Sequence, residues 1–262
     1  MGTNYVQQEE GGQTFWEHLE VLRWALLRIA GVLAMITVIT FMSMPYIFDQ
    51  FILAPTTGDF FVYQWLEKIS GGIFHFATDF SVQIINIHVA SQFFTHISTS
   101  IYLALVLTVP YIIYEIWKFV RPALFSHEVK HVKLAFMGGT LMFYVGCLLG
   151  YLLIFPFTFR FLTEYELSSA IQNQIDLSSY IGNFAMLIVI MGIVFEMPLL
   201  AWLLSRLGLI NKRILKLYKR HAIVGLMILS AIITPSGDPF SMLLVAIPLY
   251  LLYELSIRVV KK

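Results

Sequence analysis

The stretch YIGNFAMLIVIMGIVFEMPLLAWLL, Tyr180 to Leu204, decides the fold. Its 25 positions hold one charged residue, Glu196. A helix of that length rises about 37 Å, more than the roughly 30 Å hydrocarbon core of a bilayer. Working outward, charge-poor runs of the same kind predict spans over 24–44, 98–117 and 132–157 before it, and over 222–234 and 240–257 after it. The whole chain agrees: 58% of its 262 residues are apolar, 13% are charged and the mean hydropathy is +0.78. The fold class is therefore all-α, a polytopic membrane protein of six transmembrane helices in one domain over 1–262.

The last two spans are expected to be short. The run 222–234 has 13 residues, about 20 Å as a helix. It turns through Pro235-Ser236-Gly237-Asp238-Pro239 into the second member of a hairpin, which predicts local thinning of the bilayer beside it. Of the 17 Lys and Arg residues, 15 fall at the start of the first span (Arg23, Arg28), in or beside the second and fourth connections or in the tail; only Lys68 and Arg160 fall opposite. With six spans, that bias puts both termini in the cytoplasm.

The first outer segment, Tyr46 to Thr95, is too long for a plain connection and is expected to carry structure. Phe61, Trp65, Leu66 and Ile69 recur at helical spacing, for a helix lying on the membrane or capping the bundle. Phe74 to Ile84 fits a strand by alternation and a helix by its adjacent aromatics. The net charge of +1 carries no signal for nucleic acid. Cys147, the only cysteine, excludes an intramolecular disulfide and reads as a packed thiol. Met1 to Gln13 is polar, and no cleaved signal peptide is expected.

Glu196 is the costliest residue in the sequence, because a charge at the centre of a span costs roughly 2.5 to 3.5 kcal/mol. It calls for a partner, water or a functional cavity, and Pro198 beside it frees a backbone carbonyl. Glu115, Glu254 and Asp238 stand at span edges, where helix ends and turns accept carboxylates readily. Gly146 and Gly150 form a G-x-x-x-G read as close packing inside the bundle. His127-Glu128-Val129-Lys130-His131 matches H-E-x-x-H, the zinc and general-base pattern of metalloproteases, but no third ligand follows at a suitable spacing. An ion-coupled transporter using Glu196 is a further alternative, without the internal repeats typical of that class.

YEIWKFVRPALFSHE, Tyr114 to Glu128, resembles the first cytoplasmic loop of the TatC family, the multi-spanning receptor subunit of the twin-arginine protein translocase. Further matches follow in order: Ala54-Pro55, FPFTFRFL (Phe155 to Leu162), FEMP (Phe195 to Pro198), Thr234-Pro235 with Asp238, and AIPLYLLYE (Ala246 to Glu254). The resemblance runs from Phe15 to Arg258.

The resemblance implies a receptor in the cytoplasmic (inner) membrane, with no catalytic chemistry, cofactor, metal or nucleic-acid partner. It would bind twin-arginine signal peptides of folded cargo at its cytoplasmic face. It would assemble with TatA- and TatB-like single-span subunits, and with itself, for export driven by the proton-motive force. Glu128 matches the family's signal-peptide acid in the loop, with Phe119 and Pro122 shaping the surface. The N-terminal motif, H-L-x-E-L-R in the family, reads His18-Leu19-Glu20-Val21-Leu22-Arg23 here. Glu20 and Arg23 are its site residues, Glu20 one place early and so turned by about 100°. Glu196, Thr234 and Asp238 would meet partner helices within the membrane, and Pro55, Pro198 and Pro248 belong to the structural motif. The outer turn TPSGDPFSM is longer than the family's T-P-P-D form, with Met242 where Gln is frequent.

Overall fold

In a computed structural model the chain is described over residues 15–69, 80–120, 129–168, 173–206, 208–234 and 236–260. The elements run α1 (Phe15–Ile47), α2 (Phe61–Ile69), β1 (Ile84–Ile85), α3 (Ser91–Val120), α4 (Val129–Leu149), α5 (Phe155–Glu164), β2 (Ile175–Asp176), α6 (Leu177–Phe195), α7 (Met197–Arg206), α8 (Lys212–Leu217), α9 (Lys219–Ile233) and α10 (Pro239–Val259). Among the described residues, five helical runs are long and apolar enough to cross a membrane: Leu19–Thr56, Ser91–Phe119, Phe136–Glu164, Leu177–Arg206 and Pro239–Val259.

The helices outrun the apolar stretches that predicted them. The second begins at Ser91 rather than 98, and the third continues from α4 through a π-helical turn, Gly150–Ile154, into α5. The hairpin expectation is corrected for its second member. α10 has 21 residues, about 31 Å and long enough to span. It gains Pro239 at its capped start and Arg258 and Val259 at its end, where its last turns are anchored by buried Tyr253, Ser256 and Ile257 and the Tyr253 hydroxyl donates to the Leu215 carbonyl at 2.7 Å. Only α9, with 15 residues and about 22 Å, is short.

Backbone polar groups inside a bilayer need partners from the protein itself. Proline removes the hydrogen bond to the carbonyl four residues earlier, and neighbouring helices supply replacements. Pro45 in α1 frees the carbonyl of Phe41, which accepts from His96 Nε2 of α3 at 2.9 Å. Pro110 in α3 frees that of Val106, which the Tyr144 hydroxyl of α4 reaches at 3.4 Å. The Thr40 hydroxyl crosses from α1 to the Ser100 carbonyl at 3.0 Å.

α4 and α6 pack closely through glycine, as the G-x-x-x-G spacing predicts. A Cβ on Gly146 would lie 2.5 Å from the Met191 carbonyl oxygen, and one on Gly150 would lie 3.1 Å from the Ile188 Cα. Cys147 is buried in this seam.

The first outer segment is structured, as expected. α2 buries Val62 and Tyr63 against the bundle and turns Phe61 (57% exposed) and Trp65 (60%) outward. The Tyr63 hydroxyl donates to the carbonyls of Pro55 (3.3 Å) and Pro156 (3.2 Å). The Arg160 guanidinium lies over the Tyr63 and Phe80 rings, 5.2 and 4.7 Å from their centroids, and pairs with Glu164 at 2.7 Å. β1 and β2 join this cap in parallel, Ile84 opposite Ile175. Only the end of the Phe74 to Ile84 stretch falls among the described residues, with β1 beginning at Ile84.

Candidate functional site

At the end of the molecule where the basic residues gather, α1 and α3 are clasped by a bidentate ion pair. Arg28 Nε donates to Glu115 Oε1 at 2.9 Å and Nη2 to Oε2 at 2.7 Å, and the Tyr111 hydroxyl adds a third bond at 3.0 Å. Glu115 is only 3% exposed; planar guanidinium is the group suited to such a carboxylate. The α1–α3 partners run 28 with 115, 40 with 100 and 41 with 96, so the two helices are antiparallel. Residues before Arg28 therefore stand level with the last turn of α3. Glu20 and Arg23 are exposed on that end of α1, and Phe119 is half-buried on α3. Glu128, Pro122 and His127 lie outside the described residues, as does the His131 side chain.

The clasp was missed in the sequence. Arg28 counted as a flanking charge and Glu115 as an isolated edge acid, 87 residues apart. The available signal was an Arg inside the helical start of one span and an acid near the close of the next. Glu254 is likewise partnered, by Lys219 and by the Tyr250 hydroxyl at 2.9 Å.

The second feature lies in the membrane span. α6 ends at Phe195 and α7 starts at Met197, with Glu196 as the break. The cause is Pro198, which cannot bond to the Val194 carbonyl; the Glu196 N–H turns instead to Ile193 O at 3.0 Å. The Glu196 side chain reaches across to α4 at Gly139. Its Oε1 is buried without a hydrogen-bond partner among the described residues.

The third feature is the outer turn. Thr234 caps α9 and is buried. Asp238 caps α10, accepting from the Ser241 N–H at 2.8 Å and from the Ser236 hydroxyl. Burial opposes ionisation of Asp238, but these hydrogen bonds outweigh it and hold its carboxyl below the usual aspartate range. The structure thus brings Thr234 and Asp238 together in one turn, while Glu196 belongs to the α4–α6–α7 contact. Because the folded pKa is depressed, the contribution of the Asp238 charge is fully present above the unfolded value and is lost as pH falls through the folded one. In detergent, Asp238→Asn is expected to flatten the loss of melting temperature below about pH 4. Asp238→Ala is expected to cost about 1 kcal/mol at neutral pH through the lost cap.

Between α1, α3, α4 and α6 lies an open apolar cavity of about 710 Å³, bordered by Phe51, Tyr102, Leu148 and Ile188. Thr99 on its wall is buried, with its hydroxyl unpaired among the described residues.

A bundle of long apolar helices with ion pairs near its ends and, among the described residues, a buried unpaired carboxyl oxygen at Glu196 defines a polytopic membrane protein. Among the described residues no group of three His, Cys, Asp or Glu side chains is placed to hold a metal. The chain belongs to the TatC family: the model for Sec-independent protein translocase protein (TatC) matches residues 17–248. It is 35% identical over 260 residues to the TatC protein of Blattabacterium sp. subsp. Periplaneta americana, covering 97% of each chain. It is 39% identical over 176 residues to that of Deinococcus radiodurans, covering 67% of this chain and 65% of the relative. It is 34% identical over 169 residues to that of Escherichia coli, covering 64% and 65%.

Two crystal structures of a twin-arginine translocase receptor TatC share the fold. One matches with a TM-score of 0.72 and 29% identity, over 93% of this chain and 97% of that one. The other matches with a TM-score of 0.76 and 28% identity, over 94% and 100%. The chain is thus a membrane component of the Sec-independent protein translocase, in a family of translocase subunits rather than enzymes. The metalloprotease alternative at His127, Glu128 and His131 has no support from these relatives.

Proposed function

We propose that this chain is the signal-peptide receptor of a twin-arginine translocase in the cytoplasmic membrane, with six spans and both termini inside. α9 is the fifth of these spans, short but packed along α10. The receptor binds twin-arginine signal peptides at its cytoplasmic face and works with TatA- and TatB-like subunits under the proton-motive force.

One observation carries this reading. The Arg28–Glu115 clasp and the antiparallel register bring the Glu20 and Arg23 end of α1 level with Phe119, which in sequence comes shortly before Pro122 and Glu128. Acids offered from both segments suit two adjacent guanidinium groups, which pair with carboxylates bidentately. The open apolar cavity supports the docking of single-span partners, since helices associate in membranes by close packing. The surplus of Lys and Arg at the clasped end supports the orientation.

The test is photocrosslinking of a twin-arginine peptide to membranes containing the chain. Crosslinking is expected to fall about tenfold with Glu128→Ala, and again with a twin-lysine peptide that lacks the bidentate fork. Indifference to both changes would remove Glu128 from the site.

A further inference from the structure

Glu196 is held in place by something its own helix does not provide. Around it, α4 carries adjacent glycines with opposite surroundings. A Cβ built on Gly138 would meet nothing within 4 Å, whereas one on Gly139 would lie 2.8 Å from Glu196 Oε2 and 2.4 Å from Leu199 Cδ2. The space that a side chain at position 139 would fill is therefore taken by the Glu196 carboxyl and the tip of Leu199. The other carboxyl oxygen, Oε1, is buried and without a partner among the described residues. The carboxyl has a fixed berth on one side and an unmet hydrogen-bonding capacity on the other.

We infer that Gly139 is the positioning residue for Glu196: its missing side chain is the slot that sets where the carboxyl lies and which oxygen is offered to a partner. The inference rests on the reading of Glu196 as a contact for a polar group of a partner's membrane helix. The groups that suit such an oxygen are an amide or hydroxyl carried on that helix, since both can donate to it whether the carboxyl is ionised or protonated. Any side chain at 139 displaces the carboxyl or Leu199. Both are the ends of flexible chains, so the fold can yield where a backbone contact could not.

The experiment compares Gly139→Ala with Gly138→Ala in the full chain, expressed with its TatA- and TatB-like subunits in cells whose own TatC is deleted. Two readouts are taken. One is export of a folded reporter bearing a twin-arginine signal, normalised to the amount of receptor in the membrane. The other is the rate at which dicyclohexylcarbodiimide modifies Glu196 in isolated membranes, measured by mass spectrometry. Gly139→Ala is expected to lower export and raise labelling, each by about fivefold or more, within the range for coupled neighbours. Gly138→Ala is expected to change neither. Glu196→Asp, one methylene shorter, is expected to restore export in the Gly139→Ala background relative to Gly139→Ala alone.

If Gly139→Ala accumulates poorly, labelling is read in Gly139→Ala/Leu199→Ala, where the clash with Leu199 is gone and the displaced carboxyl must still label faster. Unchanged labelling in the variants at 139, or an equal effect at 138, overturns the slot. Normal export by Glu196→Gln overturns instead the functional reading of Glu196, and leaves the labelling result to decide the slot by itself.

Discussion

Gly146→Ala should lower the stability of the detergent-solubilised protein by about 3 kcal/mol, and Gly146→Leu should prevent its accumulation in the membrane. The reason is the identity of the atom in the way. At Gly139 a new methyl group meets the ends of side chains, but at Gly146 it lies 2.5 Å from the Met191 carbonyl oxygen, with Phe195 at 2.8 Å. A backbone carbonyl inside a helix cannot rotate aside without breaking its own hydrogen bond, so α4 and α6 must move apart. That separation opens the seam in which Phe143, Cys147 and Ile188 pack.

The prediction comes with an internal scale. Gly150→Ala meets the Ile188 Cα at 3.1 Å and should cost about 1 kcal/mol. Gly138→Ala meets nothing and should be neutral or stabilising by up to about 1 kcal/mol, because alanine is the better helix former. Unfolding of the three alanine variants in mixed micelles checks the order. Equal effects at 138 and 146 would show that the seam does not depend on the close approach.

Tyr180→Ala is expected to cost about 3–5 kcal/mol. Tyr180 is 1% exposed and stands at the start of α6. Its ring packs edge-on against Phe155 and Phe159, with centroids 5.4 and 5.1 Å away. Its hydroxyl donates to the Ile52 carbonyl at 2.5 Å. That carbonyl belongs to the π-helical turn that leads from α1 into the outer cap. Removing the ring leaves a cavity among aromatics, and removing the hydroxyl leaves a buried carbonyl without its donor. Tyr180→Phe isolates the second effect and should cost about 1–3 kcal/mol. In both variants, limited proteolysis of the segment around 48–69 should quicken while the ends of α9 and α10 stay protected. Loss of stability without faster cleavage there would mean that Tyr180 does not tie the cap to the bundle.

These two sites differ in how far the sequence pointed to them. Gly146 was marked by its spacing with Gly150, and the spacing named the right kind of contact. It could not say that Met191 lay opposite. Tyr180 was only the first letter of an apolar stretch. Its partner, Ile52, is 128 residues away, and no periodicity in either segment reports on the other. The prolines at 45 and 110 each free a carbonyl by their chemistry, but packing decided that His96 and Tyr144 meet them.

What the sequence alone determined is what the bilayer imposes on any chain. Apolar length identified membrane helices, charge asymmetry separated one end of the bundle from the other, and Glu196 stood out because lipid penalises it. These follow from the solvent, which acts on each segment independently. The ordered motifs added the family, in a resemblance that runs from Phe15 to Arg258. What the tertiary structure decided is everything that depends on which segment stands beside which. Arg28 and Glu115 became a clasp rather than two span-edge charges. The last turns of α10 were anchored through the Tyr253 bond to the Leu215 carbonyl. The Glu196 carboxyl found its slot on Gly139 rather than on its own helix. Pairing across 87 or 128 residues is fixed by packing and hydrogen-bond geometry in three dimensions, and a pattern read along the chain carries no record of it.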